Sequence, residues 1–166
     1  MEEIILRFEQ WCKDHNWITK RNDKASTFPD GITQRYPMAT RSDYCKFIAF
    51  FQECYACDEQ SWFLCEHEYR KDASGTEFGW NVMELMGLEA TVDDDEEQKR
   101  IHSWWDAHIP ILLSVRDGYS HFSISLQEST FGQIVEGYEP IFEDVVHAAD
   151  SLNEFLSKIM SKKIVF

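Results

Sequence analysis

Residues 109–126, IPILLSVRDGYSHFSISL, decide the fold class of this chain. Apolar residues occupy alternate positions before the turn (109, 111, 113 and 115) and again after it (122, 124 and 126). The tight-turn sequence Arg116-Asp117-Gly118 separates the two runs. Because side chains on a strand alternate between the faces of a sheet, this period of two predicts a β-hairpin with one buried face.

The segments on both sides of this hairpin favour helices. Apolar residues recur at helical spacing in four segments before it: residues 2–14, 42–54, 81–87 and 94–106. After it, Ser151 and Glu154 form a capping box in front of an apolar helical stripe that continues to Ile159.

The remaining segments complete the predicted topology. Residues 61–69 and 132–136 predict strands, with a short extended piece near 140–147, whereas residues 19–31 and 71–79 predict loops. Helices therefore come first, a meander of strands follows, and one helix closes the chain. This order predicts a single α+β domain over residues 1–166, with N-terminal helices, a central, mostly antiparallel twisted sheet, and a C-terminal helix packed on that sheet.

The chain is strongly acidic, and the acidity is concentrated in one part of it. The net charge is −14, and residues 84–157 hold 16 acidic against 3 basic residues, whereas residues 1–83 hold 14 against 10. Such a field repels nucleic acid and anionic membranes and attracts basic proteins. Solubility alone is the other interpretation. We expect a basic protein partner, with no nucleic acid and no membrane.

Acidic residues of this second part are the candidate partner contacts: Asp93, Asp94, Asp95, Glu96, Glu97, Asp117, Glu128, Glu136 and Glu139. The choice is an argument from charge alone. The run Asp93–Glu97 has a second interpretation, because carboxylates are favoured at the positive end of a helix dipole. A solvated helix N-terminus would explain this run without a partner.

Motifs of catalysis and nucleotide binding are absent, including G-x-S-x-G, H-E-x-x-H and G-x-G-x-x-G. We therefore expect no catalytic residue, no enzyme activity and no cofactor. Glu66 and Glu68 would share one face of a strand and could be read as an acid/base pair, but an exposed sheet face explains them equally well. His121 is expected to be an exposed strand residue beside the turn.

Four residues form the one candidate metal cluster: Cys54, Cys57, Cys65 and His67. Three thiolates and an imidazole suit tetrahedral zinc, and Cys65 and His67 would share a strand face. The favoured alternative is that these cysteines are small apolar residues of a helix, a loop and a strand, so we expect no metal.

The N-terminus and the cysteine count indicate a cytoplasmic protein. Residues 1–7 begin acidic, whereas a secretory signal begins basic and continues apolar. Five cysteines are an odd number, which argues against a disulfide framework. An exposed sheet edge would allow a homodimer.

A longer pattern from Trp105 onward resembles the SMI1/KNR4 superfamily, also called SUKH. Its elements are a Trp, a Pro before an apolar strand, Asp-Gly at a turn, an aromatic strand, a Gly before a further strand, and a closing Ala-Asp-Ser helix. The matching residues are Trp105, Pro110, Ile111, Asp117, Gly118, Tyr119, Phe122, Leu126, Gly132, Ile134, Ala149, Asp150, Ser151, Leu152, Phe155 and Leu156. Upstream, Tyr36-Pro37 and Trp62-Phe63-Leu64 resemble the family as well.

This resemblance implies a binding protein. Bacterial members of the family act mostly as immunity proteins, each of which binds and neutralises a cognate polymorphic toxin, often a nuclease or deaminase. Fungal members resemble regulatory scaffolds with several protein partners. Neither role needs a catalytic residue. An acidic immunity protein that occupies the phosphate-binding surface of a basic nuclease has a physical rationale.

Overall fold

The computed structural model describes residues 1–71 and 78–166, and these residues form helices around one sheet. The helices are α1 (Glu2–Asp14), α2 (Asp30–Arg35), α3 (Tyr44–Phe50), α4 (Glu66–Tyr69), α5 (Val82–Ala90), α6 (Asp95–Asp106) and α7 (Leu152–Met160). The strands are β1 (Trp17–Arg21), β2 (Phe51–Ala56), β3 (Ser61–Phe63), β4 (His108–Ser114), β5 (Ser120–Ser125), β6 (Ile134–Tyr138) and β7 (Ile141–Ala149).

The sheet has seven strands in the order of the chain, β1 to β7, and each neighbouring pair is antiparallel. The predicted hairpin is confirmed, with β4 and β5 paired at Leu112–Phe122 and Leu113–His121. The α+β class, the antiparallel sheet and the C-terminal helix are likewise confirmed. Consecutive strands lie side by side, as expected for a meander.

The register assigns each side chain to one of two faces. Phe122 of β5 contacts Phe155 of α7, with ring centroids 4.9 Å apart, so this side of the sheet is the α7 face. The next residue, His121, contacts Trp105 of α6 at 4.9 Å, so the opposite side is the α6 face. Helices α1 and α3 also cover the α7 face, since Phe63 contacts Phe8 and Phe47.

The prediction of one buried face for the hairpin is wrong. Every residue of β4 is buried, as is every residue of β5 except the half-buried Ser120. Ser123 and Ser125, which alternate with apolar residues in β5, face α6 and are buried. Hydrogen bonds within the protein satisfy their hydroxyl groups. Ser123 is an example, since its hydroxyl donates to Nδ1 of His121 at 2.8 Å. Alternating serines in this strand therefore do not indicate a solvent-exposed face, because the second face of the hairpin is covered as well.

The N-terminal half departs from the prediction at three points. Residues 17–21, of which 19–21 fall in the predicted loop, form β1, and the loop's last residues begin α2. The predicted helix 42–54 spans only Tyr44–Phe50, and the chain then continues as β2. This apolar, aromatic segment suits a helix and a strand equally by pattern, and pairing with β1 decides for the strand.

The predicted strand 61–69 is strand only as far as Phe63, and Glu66–Tyr69 form α4. The Oε2 atom of Glu68 accepts the backbone N–H of Cys65 at 2.9 Å, which favours a helical turn at this point. Of the predicted loop 71–79, residues 72–77 lie outside the described residues. The helix predicted at 81–87 is present as α5 and continues to Ala90.

The helix-start signals of the second half are confirmed. Asp94 caps α6 by accepting the backbone N–H of Glu97 at 3.0 Å. Ser151 caps α7 by accepting the N–H of Glu154 at 3.2 Å, and Glu154 accepts the N–H of Asp150 at 2.8 Å. These bonds satisfy backbone donors that a helix N-terminus leaves unpaired.

The residues that carry the family pattern have clear structural roles. Trp105, Phe155 and Leu156 are buried in the core. Pro110 lies beside a bulge in β4, where its missing N–H is tolerated. Gly118 and Gly132 have φ of +104° and +87°, a region that favours glycine.

The two outer strands, β1 and β7, are the edges of the sheet. The register of β7 against β6 shifts twice, between Ile134 and Val135 and between Glu136 and Tyr138. The carbonyl of Ala148 accepts a hydrogen bond from Nζ of Lys158 at 2.7 Å. Such irregularities reduce the ability of an edge to pair with another strand. Among the described residues, no helix is long and apolar enough to cross a bilayer.

Candidate protein-binding surface

Part of the α7 face, at the end of β6 and β7, is not covered by any helix that the structure describes. Glu136 lies opposite Val146, and Tyr138 lies opposite Ile141, so these four side chains share the α7 face. Tyr138, Ile141 and Val146 are 47%, 52% and 55% exposed, and Glu136 is half-buried. We call these four residues the open face. Large apolar side chains exposed together are typical of interaction surfaces.

The open face exists because the cover of the sheet ends beside Phe122. Phe155 of α7 lies on one side of the Phe122 ring and Phe166 lies on another, with the centroids of Phe122 and Phe166 5.7 Å apart. The row Leu112–Phe122–Glu136–Val146 therefore passes from fully buried to half exposed. The same row carries an apolar residue at its outer end, where a soluble protein usually has a polar one.

Glu136 is the central charge of the open face. Burial raises the pKa of its carboxyl above the usual range, although the hydroxyl of Tyr138 donates a hydrogen bond to it. Burial, with the neighbouring Glu136 carboxylate, raises the pKa of Tyr138 to about 12. Among the described residues, no Lys, Arg or His nitrogen lies within 4.0 Å of Glu136. Its charge is partly desolvated without a cation beside it, which is a costly state.

Two more of the predicted contact acids lie close to this position. The carboxylate of Glu139 lies against the β4–β5 turn, since a Cβ on Gly118 would be 2.5 Å from its Oε1. Its backbone N–H donates to the carbonyl of Tyr119 at 2.9 Å. Asp117 and Glu136 line one depression of about 100 Å³. The structure thus brings Asp117, Glu136 and Glu139 to the turn end of the sheet.

The other predicted acids lie elsewhere. Asp93–Glu97 lie at the start of α6, which covers the opposite face of the sheet, and Glu128 lies in the 3-10 helix Glu128–Thr130 between β5 and β6, at the far end of these strands. Within the run, Glu96 pairs with Lys99 at 2.8 Å and Glu97 pairs with Arg100 at 2.5 Å. These bonds and the Asp94 cap favour the interpretation of this run as a helix N-terminus.

The α6 face also has partly exposed side chains at β1 to β3, where the ring of Trp62 contacts that of Phe78 at 5.4 Å. Ile18, Tyr55 and Trp62 lie side by side in register on these three strands. Ile18 is exposed, and Tyr55 and Trp62 are half-buried. We call these three residues the aromatic row. The sequence reasoning did not find it, because Tyr55 lay beyond a predicted helix and Ile18 lay before a predicted loop.

The candidate metal cluster is not assembled. Cys54 and Cys65 are buried, whereas Cys57 and His67 are exposed, and His67 lies on α4 and not on a strand. No group of three or more His, Cys, Asp or Glu side chains suited to a metal occurs in residues 1–71 and 78–166. Burial raises the pKa of the Cys54 and Cys65 thiols, which keeps them protonated.

The strand face that Glu66 and Glu68 were expected to share is wrong, because both residues lie on α4. Glu66 binds Ser26 and Arg70, with 2.5 Å between Oε1 and Nη2 of Arg70, while Glu68 accepts the N–H of Cys65. These carboxylates have separate structural partners. They line no common reaction site.

His121 is fully buried and not an exposed strand residue. Its Nε2 lies 3.0 Å from the carbonyl oxygen of Phe142, which can only accept, so Nε2 carries the proton and Nδ1 accepts from Ser123. Burial lowers the pKa of His121 to about 4. This Ser–His contact is enclosed in the core, where no substrate reaches it.

The fold and its open face define the class of molecule: an α+β domain whose exposed apolar and acidic residues lie on the sheet. The Ser–His pair is buried, and Cys57 and His67 are exposed apart from the buried Cys54 and Cys65. Comparisons with family models, curated proteins and solved structures found no match.

Proposed function

We propose that this chain is a non-catalytic binding protein whose partner is a basic protein that docks on the open face. The observation that carries this proposal is the shared face of Tyr138, Ile141 and Val146 with Glu136. Interfaces combine an apolar centre that includes aromatic residues with a polar rim. Asp117 and Glu139 supply an acidic rim on one side.

The cellular role that we propose is immunity, in which the chain binds and neutralises a cognate polymorphic toxin. The resemblance to SMI1/KNR4 proteins and the charge of residues 84–157 support this role. An acidic surface attracts a basic nuclease before contact, which raises the rate of association. Binding over the nuclease's phosphate-binding surface then prevents access of nucleic acid.

Coexpression tests this proposal. The neighbouring gene is sequenced first, and if it encodes a toxin, that toxin is induced in cells with and without this chain and survival is measured. We expect the chain to restore growth and the variant Ile141→Asp/Val146→Asp to restore it poorly. Growth arrest despite a folded, abundant wild-type chain would contradict the immunity role.

A regulatory scaffold with several protein partners is the second candidate function. The aromatic row favours it, because a second partly exposed surface on the opposite face of the sheet would allow two partners at once. Size-exclusion chromatography separates the two functions. A ternary complex that is lost on Trp62→Ser supports the scaffold, whereas a strictly binary complex supports immunity.

A further inference from the structure

We infer that the open face recognises one cationic side chain of its partner, a lysine or an arginine, seated beside Glu136 between apolar contacts. This inference rests on the proposed function and makes its partner specific. The occupant is a protein segment in which a basic residue is flanked by aliphatic or aromatic residues. Charge complementarity and the arrangement of the side chains around Glu136 carry the inference.

The first step concerns the environment of Glu136. The residues around it are Phe122 in the same row, Tyr138 two positions along β6, and Val146 across the strand pair. Only the Tyr138 hydroxyl is a hydrogen-bond donor among these three side chains. A carboxylate accepts several hydrogen bonds when ionised, so this group retains capacity for a charged donor.

The second step concerns the depression in front of Glu136. It has a volume of about 100 Å³ and is bordered by polar groups of the β4–β5 turn and by the rings of Tyr138 and Phe166. A lysine or arginine has an aliphatic stem and a charged end. The rings contact the stem and attract the cation through their faces, while the carboxylate binds the charged end.

The third step concerns Arg116, the cation that also borders this depression. Its Nη2 pairs with Asp58 at 2.8 Å, and its Nε donates to the carbonyl oxygen of Phe166 at 3.1 Å. These bonds engage the Arg116 guanidinium, and it makes no ion pair with Glu136 within 4.0 Å. Glu136 therefore has a negative charge that this chain's own nearby cation does not neutralise.

The fourth step distinguishes Glu136 from the other acids. Glu96 and Glu97 have cations at 2.8 and 2.5 Å on their own helix, and Glu154 has Lys158 at 2.9 Å. A partner that bound those acids would have to displace existing ion pairs. Binding at Glu136 instead supplies a missing ion pair at a half-buried carboxylate. The predicted contact acids Asp117, Glu128 and Glu139 are exposed, so a cation beside them gains less.

A linear peptide library displayed on phage tests this inference without any toxin. The wild-type protein is the bait, and the enriched peptides are measured against wild type, Glu136→Gln and the matched control Glu96→Gln. Both variants remove one charge and keep the shape of the side chain. A thermal melt checks that each variant is folded.

We expect enriched peptides to share a lysine or arginine flanked by apolar residues. Glu136→Gln should weaken them by about tenfold to a hundredfold, the range for a charged hydrogen bond, and Glu96→Gln should leave them unchanged. Replacing the peptide lysine by norleucine, or the arginine by citrulline, should cost the same in wild type and little in Glu136→Gln. This double-mutant comparison assigns the contact to one pair.

Three results would overturn the inference: no enriched peptide that binds at the open face, enriched peptides without a basic residue, or binding that is insensitive to Glu136→Gln. The immunity role is separable from this test. If peptides behave as expected but coexpression does not restore growth, the cation site stands and the immunity role fails. If growth is restored but the peptide selection fails, the immunity role stands and the cation site fails.

Discussion

Glu136 and Val146 lie directly opposite each other on β6 and β7, so a half-buried carboxylate and an exposed aliphatic side chain share the α7 face. In most antiparallel sheets the exposed end of such a row is polar, because no cover excludes water there. The combination seen here leaves apolar area and charge in one place. A binding surface has both.

The apolar residues of the open face should matter for binding and little for stability. We expect Ile141→Thr/Val146→Thr to change the free energy of unfolding by less than about 1 kcal/mol, since both side chains are half exposed and threonine is also β-branched. Urea unfolding measures this. The buried Ile134→Thr is the control and should cost about 2 kcal/mol or more. Equal losses for the two would show that the open face is part of the core.

Gly137 should not accept a side chain. A Cβ at this position would lie 2.2 Å from the carbonyl oxygen of Phe142 and 2.4 Å from Nε2 of His121. We expect Gly137→Ala to destabilise the protein by about 3 kcal/mol or more, through overpacking and loss of the His121 contact. Gly31→Ala in α2 is the control, because nothing lies within 4 Å of its Cβ. Thermal unfolding that shows equal shifts for both variants would contradict this packing.

His121 should make the stability fall at mildly acidic pH. Its pKa is lowered to about 4 in the folded protein by burial, whereas an unfolded histidine has a pKa of about 6.5. Between these values the unfolded state binds more protons, so stability is complete above pH 6.5 and declines towards pH 4, by about 3 kcal/mol in all. The urea-unfolding free energy of the wild type should show this decline. In the variant His121→Asn the free energy of unfolding should decline less between pH 6.5 and pH 4. An equal decline in wild type and variant would contradict the role of His121.

Glu143 should contribute through the bond that it accepts. Its Oε1 lies 2.5 Å from the indole Nε1 of Trp105, and its side chain is almost fully buried. We expect Glu143→Leu to cost about 1–3 kcal/mol, because it leaves the buried Trp105 N–H without a partner. Glu143→Gln retains an oxygen acceptor and should cost clearly less in the same denaturation experiment. A leucine variant as stable as the glutamine variant would refute this role.

The sequence predicts the second half of the fold better than the first. The hairpin, α6 and α7 carry strong local signals, namely a period of two around Asp117-Gly118, the acidic run Asp93–Glu97 before α6, and the capping box of Ser151 and Glu154. These signals depend on neighbouring residues, so they can be read without tertiary contacts.

The fold of the first half depends on strand pairing, which local sequence patterns do not predict. Residues 51–56 follow an aromatic helix without a turn signal, and pairing with β1 and β3 makes them a strand. The same holds for the cysteine cluster, because the change from β3 to α4 placed Cys65 and His67 on a helix start.

The candidate site was predictable only in part. Charge indicated Asp117, Glu136 and Glu139, which the sheet brings to one end, but it also indicated Asp93–Glu97 and Glu128, which lie elsewhere. The apolar half of the surface was missed. Ile141 and Val146 are ordinary core candidates by residue type, and their exposure follows from where the cover of the sheet ends.

The most direct test of the open face is the Kd of the complex between this chain and the basic toxin that we propose as its partner. It is measured for wild type, for Ile141→Thr/Val146→Thr, and for Ile18→Thr in the aromatic row on the other face. We predict that the open-face pair weakens binding at least tenfold, about 1.4 kcal/mol, while Ile18→Thr has no effect. An unchanged Kd for the open-face pair, with binding lost instead on Ile18→Thr, would contradict the account.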